Sequence, residues 1–183
     1  MHDENKKRID DAHYRDWSLA KTPHDAVTTD LEWAVLRFHQ AFERWVTQLG
    51  NITGMSGLSY TEIVILHVVG MQDRPKTAAG IARQLNRDDI PNIQYCLRKL
   101  IKHEFCKSKK SNTRKTSDYA LTESGYKVVN DYSRVRQDTL TALTSSIDNV
   151  DERMYEATRL ISMLTGLYDE AGRIAATYSR ILE

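Results

Sequence analysis

The chain has 183 residues, of which 40% are hydrophobic and 28% charged. That suits one compact domain, or one domain with an oligomerisation element, and excludes a disordered chain. No apolar run approaches the roughly 18 residues a membrane span needs, and the N-terminal stretch has basic residues without the apolar core of a secretory signal, so a cytoplasmic protein with no membrane partner is expected. The formal net charge of +1 conceals a division: residues 81–115 carry ten Lys and Arg against three Asp and Glu, a local +7, while the remainder carries 16 against 22, or −6. A basic central segment in an acidic frame is the charge distribution expected of a face that meets nucleic acid, with a solvated charged surface as the alternative. Two cysteines, Cys96 and Cys106, are too few for a disulfide framework, and neither they nor the six histidines have metal-ligand spacing. No metal and no cofactor is expected.

Taken in chain order, residues 1–28 are polar and unperiodic and read as an arm, with Trp17 and Leu19 as anchor points. Thr29-Asp30-Leu31-Glu32 reads as a capping box, and Leu31, Val35, Phe38, Phe42, Trp45 and Leu49 recur at steps of four and three, which predicts an amphipathic helix closed by Gly50, Gly54 and Gly57. Ser59-Tyr60-Thr61-Glu62 repeats the capping box ahead of Ile63, Ile65, Leu66, Val68 and Val69, so a buried helix follows. Thr77 can cap a short helix to about Leu85, and after Asn86-Arg87-Asp88 another helix begins near Asp89, with Pro91 in its first turn and Ile90, Ile93, Leu97, Leu100 and Ile101 toward the core. Two short helices across a tight turn make a helix-turn-helix.

From Phe105 the pattern changes to two short strands around a polar tip near Asn112 to Lys115, a β-hairpin. A helix beginning at Leu121 to Gly125 carries Val128, Val129, Tyr132, Val135, Leu140, Leu143 and Ile147, and Asn149 followed by Glu152 signals a last helix. There Ala157, Leu160, Leu164, Leu167, Ala171, Ile174, Tyr178 and Ile181 recur at alternating steps of three and four, a heptad seam. Residues 151–182 would span about 48 Å, more than the core of so small a domain covers. A partner chain is expected to cover the rest, and a long helix packed within its own chain is the alternative. The fold class is mainly α with a small β-hairpin.

With that core face, Asn92, Tyr95, Lys99 and Lys102 form one outward stripe, flanked by Gln94 and Arg98. Asn and Gln can pair bidentately with adenine, and Arg and Lys with guanine or phosphate. Asn92, Gln94 and Tyr95 are therefore assigned to base readout, and Arg98, Lys99 and Lys102 to mixed base and phosphate contacts. Thr77, at a helix start where amide donors converge, is placed for phosphate, and Arg114 and Lys115 at the hairpin tip for the minor groove or its backbone.

The order helix, helix, helix-turn-helix, basic hairpin, long helix, long helix resembles the MarR family of bacterial winged-helix transcription regulators over roughly residues 30–182. Its local support is Leu58-Ser59-Tyr60-Thr61-Glu62, Ala79-Gly80-Ile81-Ala82-Arg83-Gln84-Leu85, Asn92 to Leu100, and Leu121-Thr122-Glu123-Ser124-Gly125, similar to the family's Leu-Thr-x-x-Gly after the wing. Two features depart from the family: Glu104 stands where members often carry Gly, and Asn112-Thr113-Arg114 replaces the Asp-x-Arg wing tip, losing its carboxylate.

The resemblance implies a winged helix-turn-helix over 58–121 between an N-terminal dimerisation helix and loop (29–57) and C-terminal dimerisation helices (122–183). The residues expected at the homodimer contact are Leu31, Val35, Phe38, Leu160, Leu164, Leu167, Ala171, Ile174 and Tyr178. It further implies a sequence-specific double-stranded-DNA-binding regulator acting on a palindromic operator. Such a regulator is a repressor released by a small aromatic or anionic effector, in a pocket bordered by His39, Trp45, His67 and Tyr132.

Three other readings compete. No Gly-rich phosphate loop, G-x-S-x-G elbow, H-E-x-x-H pair or C-x-x-C occurs, so no catalytic residue is assigned and an enzyme is not expected. A helical protein-interaction adaptor whose winged helix does not read DNA would tolerate the altered wing tip. A thiol redox-sensing regulator would use Cys96 or Cys106, provided that a sulfur is exposed beside Arg98, Lys99 or Lys107.

Overall fold

A computed structural model describes residues 17–110 and 116–178. Two compact units result, one reaching to Ser133 and one starting at Arg134. The first helix, α1, spans Pro23–Ile52 and so begins six residues before the expected Thr29. The capping box that starts it is Thr22 with Asp25: the Thr22 hydroxyl accepts from the Asp25 amide, and the Asp25 carboxylate accepts from the Thr22 amide. Pro23 suits the first turn, where its missing N–H costs nothing. Thr29 is instead a buried mid-helix residue whose hydroxyl donates to the Leu19 carbonyl at 2.6 Å, tying the preceding segment back onto α1. Part of the expected arm is thus helix and part is docked. Residues 1–16 lie outside the described residues.

Helix α2 (Tyr60–Gly70) starts at the expected capping box, with Ser59 and Glu62 exchanging hydrogen bonds. It buries Ile63, Ile65, Leu66, Val68 and Val69, which face different sides of the helix, so other elements must cover it on several flanks. The end of α1 supplies one: an added Cβ on Gly50 would stand 2.5 Å from the Ile63 side chain. At its C-terminus the Lys76 ammonium donates to the carbonyls of Val69, Met71 and Arg74, a cation on the negative end of the helix dipole.

Strand β1 (Lys76–Thr77) leads into α3 (Ala78–Gln84), and Thr77 caps it as expected, accepting from the Gly80 amide at 3.0 Å. Asn86 makes the turn at φ 50°, a left-handed conformation that Asn tolerates. Helix α4 (Ile90–Lys102) buries Ile93, Cys96, Leu97 and Leu100. Ile90, expected inward, is 37% exposed at the first residue of the helix, and Ile101 is half-buried, so the core face is narrower than its apolar residues predict.

Strands β2 (Cys106–Lys110) and β3 (Ser117–Leu121) form the expected hairpin, and β1, too short to read in sequence, adds to β3, giving an antiparallel sheet in the order β1-β3-β2. Helix α5 (Glu123–Arg136) follows the Leu-Thr-x-x-Gly signature, whose physical sense is now visible. The Thr122 hydroxyl donates to the Glu104 carbonyl and accepts from the Gly125 amide, and a Cβ on Gly125 would stand 2.0 Å from the Phe105 carbonyl oxygen. Only a residue without a side chain admits that approach.

The apolar run through Ile147, read as one helix, is interrupted by a π turn over Gln137–Thr141, a short turn of α-helix at Ala142–Thr144 and a loop. The five-residue step from Val135 to Leu140 is the trace of it in sequence, because a π turn absorbs the extra residue. The last helix, α6, spans Val150–Tyr178 and none of its residues is buried.

Gly125→Ala is expected to destabilise the chain by about 1–3 kcal/mol or more, because backbone must move to admit the methyl group. Glu104 lies at φ 61°, and Glu104→Gly is expected to add up to about 1 kcal/mol by relieving the left-handed conformation. Urea unfolding of the two variants measures both shifts, which have opposite signs.

Candidate nucleic-acid interface

The burial of one side of α4 dictates what the other side presents. With Ile93, Cys96, Leu97 and Leu100 inside, Asn92, Gln94, Tyr95, Arg98 and Lys102 are all exposed. Tyr95, Arg98, Lys99, Lys102 and His103 line an open hollow of about 510 Å³. On the hairpin, Lys107, Lys109 and Lys110 are exposed, and with Pro75, Ser108, Asp118 and Ala120 they line a second hollow of about 500 Å³. Lys107 and Lys109 share a sheet face, since alternate residues of a strand point the same way. In the sequence Lys107 stands out only as a neighbour of Cys106, and Lys109 and Lys110 only as part of the local charge. The two-residue spacing of Lys107 and Lys109 along β2 is the signal that could have found that pair. Arg114 and Lys115 lie outside the described residues.

Two basic residues of this segment are held by carboxylates. Arg87 donates from Nε to Asp89 Oδ1 at 2.8 Å and from Nη2 to Asp89 Oδ2 at 2.5 Å, a bidentate pair. These bonds hold the Asp89 carboxyl at about 2 and keep Arg87 charged. Lys99 donates to Glu62 Oε2 at 2.9 Å and to the Gly57 carbonyl at 3.3 Å. Only 4% of the Glu62 side chain is exposed. Burial pushes its carboxyl up, but the bonds from Lys99 and Ser59 prevail and hold it below the ordinary carboxylate range. Lys99, expected in the outward stripe, therefore turns back to clamp α4 to the start of α2. The Thr77 hydroxyl is likewise used as a cap.

Of the four residues expected around an effector pocket, three meet. Trp45 packs edge-on against Tyr132 with ring centroids 5.9 Å apart, and Tyr132 lies 4.3 Å from the His67 ring. His39 packs against Tyr60, which meets Phe42, and Phe42 in turn stacks on Trp45, so His39 joins that group through two intervening rings. His67 Nε2 is buried without a hydrogen-bond partner among the described residues, and burial pushes the imidazole down to about 4. Both cysteines are buried as free thiols, and burial pushes Cys96 up and Cys106 up to about 12. Neither cysteine is exposed, so the condition on which thiol sensing depends is not met. Among the described residues no cluster of three or more His, Cys, Asp or Glu could hold a metal, and no helix is long and apolar enough to cross a membrane.

Lys99→Met is expected to lower the melting temperature while leaving the salt dependence of DNA binding unchanged, whereas Lys102→Met should flatten that dependence by about one unit of slope. Equal flattening by both would place Lys99 on phosphate. For His67 the folded state holds the neutral ring, so its contribution is complete above the ordinary value near 6.5 and declines as pH falls toward 4, a loss of about 3 kcal/mol. His67→Phe should remove that part of the acid dependence in unfolding titrations between pH 7 and pH 4.

Residues 58–125 match the family model described as a winged helix DNA-binding domain. No curated protein matches the chain in sequence. Among solved structures, a MarR transcriptional regulator from Methanosarcina mazei Go1 is similar with a TM-score of 0.62 at 15% identity, covering 76% of this chain and 98% of that one. Streptococcus pneumoniae FabT, solved in complex with DNA, has a TM-score of 0.62 at 12% identity, over 78% of this chain and 98% of its own. Staphylococcus aureus MarR, solved with salicylate and kanamycin, has a TM-score of 0.63 at 13% identity, over 78% and 93%. Residues 58–125 thus match the winged helix DNA-binding domain in sequence, and about three quarters of the chain shares the fold of solved MarR-family transcriptional regulators.

Proposed function

We propose that this chain is a sequence-specific, double-stranded-DNA-binding transcription regulator that acts as a homodimer on a palindromic operator. The observation that carries the reading is the exposed face of α4, where Asn92, Gln94, Tyr95, Arg98 and Lys102 stand opposite the buried Ile93, Cys96, Leu97 and Leu100 and beside the lysines of β2. Such a helix can enter a major groove with its first turns on base edges, while the hairpin lysines follow the phosphates. The acidic remainder of the chain is unfavourable for contact with phosphate, so the segment's +7 orients the encounter. FabT, bound to DNA in its own structure, supports the same use of a shared fold.

Homodimerisation is supported by apolar surface that the chain leaves uncovered. On α1, Val35 and Phe38 are 45% and 70% exposed. On α6 every position of the heptad seam from Leu160 through Leu164, Leu167, Ala171 and Ile174 to Tyr178 is uncovered or only half-buried. A helix with that seam and no buried residue is marginal alone and is stabilised by packing against another. Two-fold pairing would also set two recognition helices about one turn of DNA apart, roughly 34 Å. We further propose that binding is released by a small aromatic or anionic effector seated at Trp45, His67 and Tyr132. The orphaned Nε2 of His67 offers such a ligand a polar anchor in an aromatic setting. S. aureus MarR, solved with salicylate, is the relative that motivates this class.

Selection from a random pool of duplex DNA is expected to enrich a palindrome, with binding that weakens steeply between about 50 and 200 mM salt. Sedimentation at micromolar concentration is expected to give a dimer. An unenriched pool, or a monomer, would contradict the reading.

A further inference from the structure

The residue that precedes α4 is a carboxylate that does not perform the task its position offers. Asp89 is the N-cap residue, where an Asp side chain ordinarily accepts from an amide of the following turn, yet it makes no such bond. Its two oxygens are taken by side chains instead. Arg87 occupies both with its bidentate pair, and Asn92 donates from Nδ2 to Oδ2 at 3.2 Å. On the other side of the Asn92 amide, the Cys96 thiol lies 4.0 Å from Oδ1. Asn92 is exposed, but its amide is held at both ends, and the held orientation decides which edge it offers: one remaining N–H beside one carbonyl. That donor and acceptor pair complements N7 and N6 of adenine. The same carboxylate pairs with Arg87 through two of its guanidinium nitrogens, so that a cation at the turn is already matched by a charge of its own chain.

We propose that Asp89 is a positioning residue for DNA readout, which orients Asn92 toward adenine and keeps Arg87 off the DNA backbone. The inference rests on the reading of α4 as the recognition helix. It makes Asp89 a source of specificity rather than of affinity: the carboxylate repels phosphate, and its removal should strengthen indiscriminate binding while blurring sequence choice.

The test combines selected-pool sequencing with salt titrations for the full chain and four variants. Asn92→Ala identifies the operator position that Asn92 reads, as the one whose adenine preference falls. Asp89→Asn is expected to lower the preference at that same position by about tenfold, and to steepen the salt dependence by about one unit as Arg87 is released to phosphate. Asp89→Glu keeps the charge but displaces it by one methylene, and is expected to lose the preference without the steeper slope. Arg87→Ala is expected to leave the slope as it is in the parent chain.

Full adenine preference in both Asp89→Asn and Asp89→Glu would overturn the inference, as would a slope flattened by about one unit in Arg87→Ala. Should Asn92→Ala alter no position of an otherwise enriched operator, the positioning role falls while the DNA reading stands. A parent chain that enriches no sequence overturns both.

Discussion

Helix α2 cannot meet water on most of its sides, and the head of this protein is organised by that constraint. Ile63, Ile65, Leu66, Val68 and Val69 point in different directions from one short helix, and burying each is worth on the order of 1.5–3 kcal/mol. The end of α1, the inner face of α4 and the sheet supply the cover. Close approaches mark the seams: Gly50 admits the Ile63 side chain, and Gly70 admits Leu121 of β3. Because α4 must give Ile93, Leu97 and Leu100 to this core, its orientation about its own axis is determined, and so is the set of polar residues it offers outward. The Lys99–Glu62 pair locks the same rotation from the edge of the core.

Charge is then distributed by use. Two cations in the basic segment are paired within the chain: Lys99 with the buried Glu62 carboxylate, and Arg87 with Asp89. Among the described residues of this segment, the exposed cations are Arg83, Arg98 and Lys102 and the three lysines of β2. Local net charge counted along the chain thus overstates how many of these cations are unpaired, because an ion pair is invisible to a sum.

Much of this was legible in the sequence wherever a periodic apolar pattern coincided with a capping signal. Ser59 with Glu62, Thr77, and the turn at Asn86 mark helix ends that the structure reproduces. Thr29 was misleading because Thr-x-x-Glu is only a pattern. The residue that satisfies the first amides is Thr22, and Thr29 finds a different acceptor, the Leu19 carbonyl, that no local rule predicts. Strand β1 was unreadable because two residues carry no alternation, and its pairing partner lies some forty residues away in β3. The π turn was present in the spacing of Val135 and Leu140 but was absorbed into an α-helical count. At the candidate interface, the exposed residues of α4 follow from helical periodicity, whereas the diversion of Lys99 depends on Glu62, 37 residues earlier, and could emerge only from the fold.

The central claim is that α4 enters the major groove with the face that carries Tyr95. An iron chelate attached through Tyr95→Cys, with the two native cysteines protected by burial, tests it by cleaving whatever DNA lies beside that position. The account predicts cleavage confined to two sites on a bound palindrome, centred in the major groove and roughly 34 Å apart. Cleavage spread evenly along the duplex, or none above that of free chelate, would contradict it.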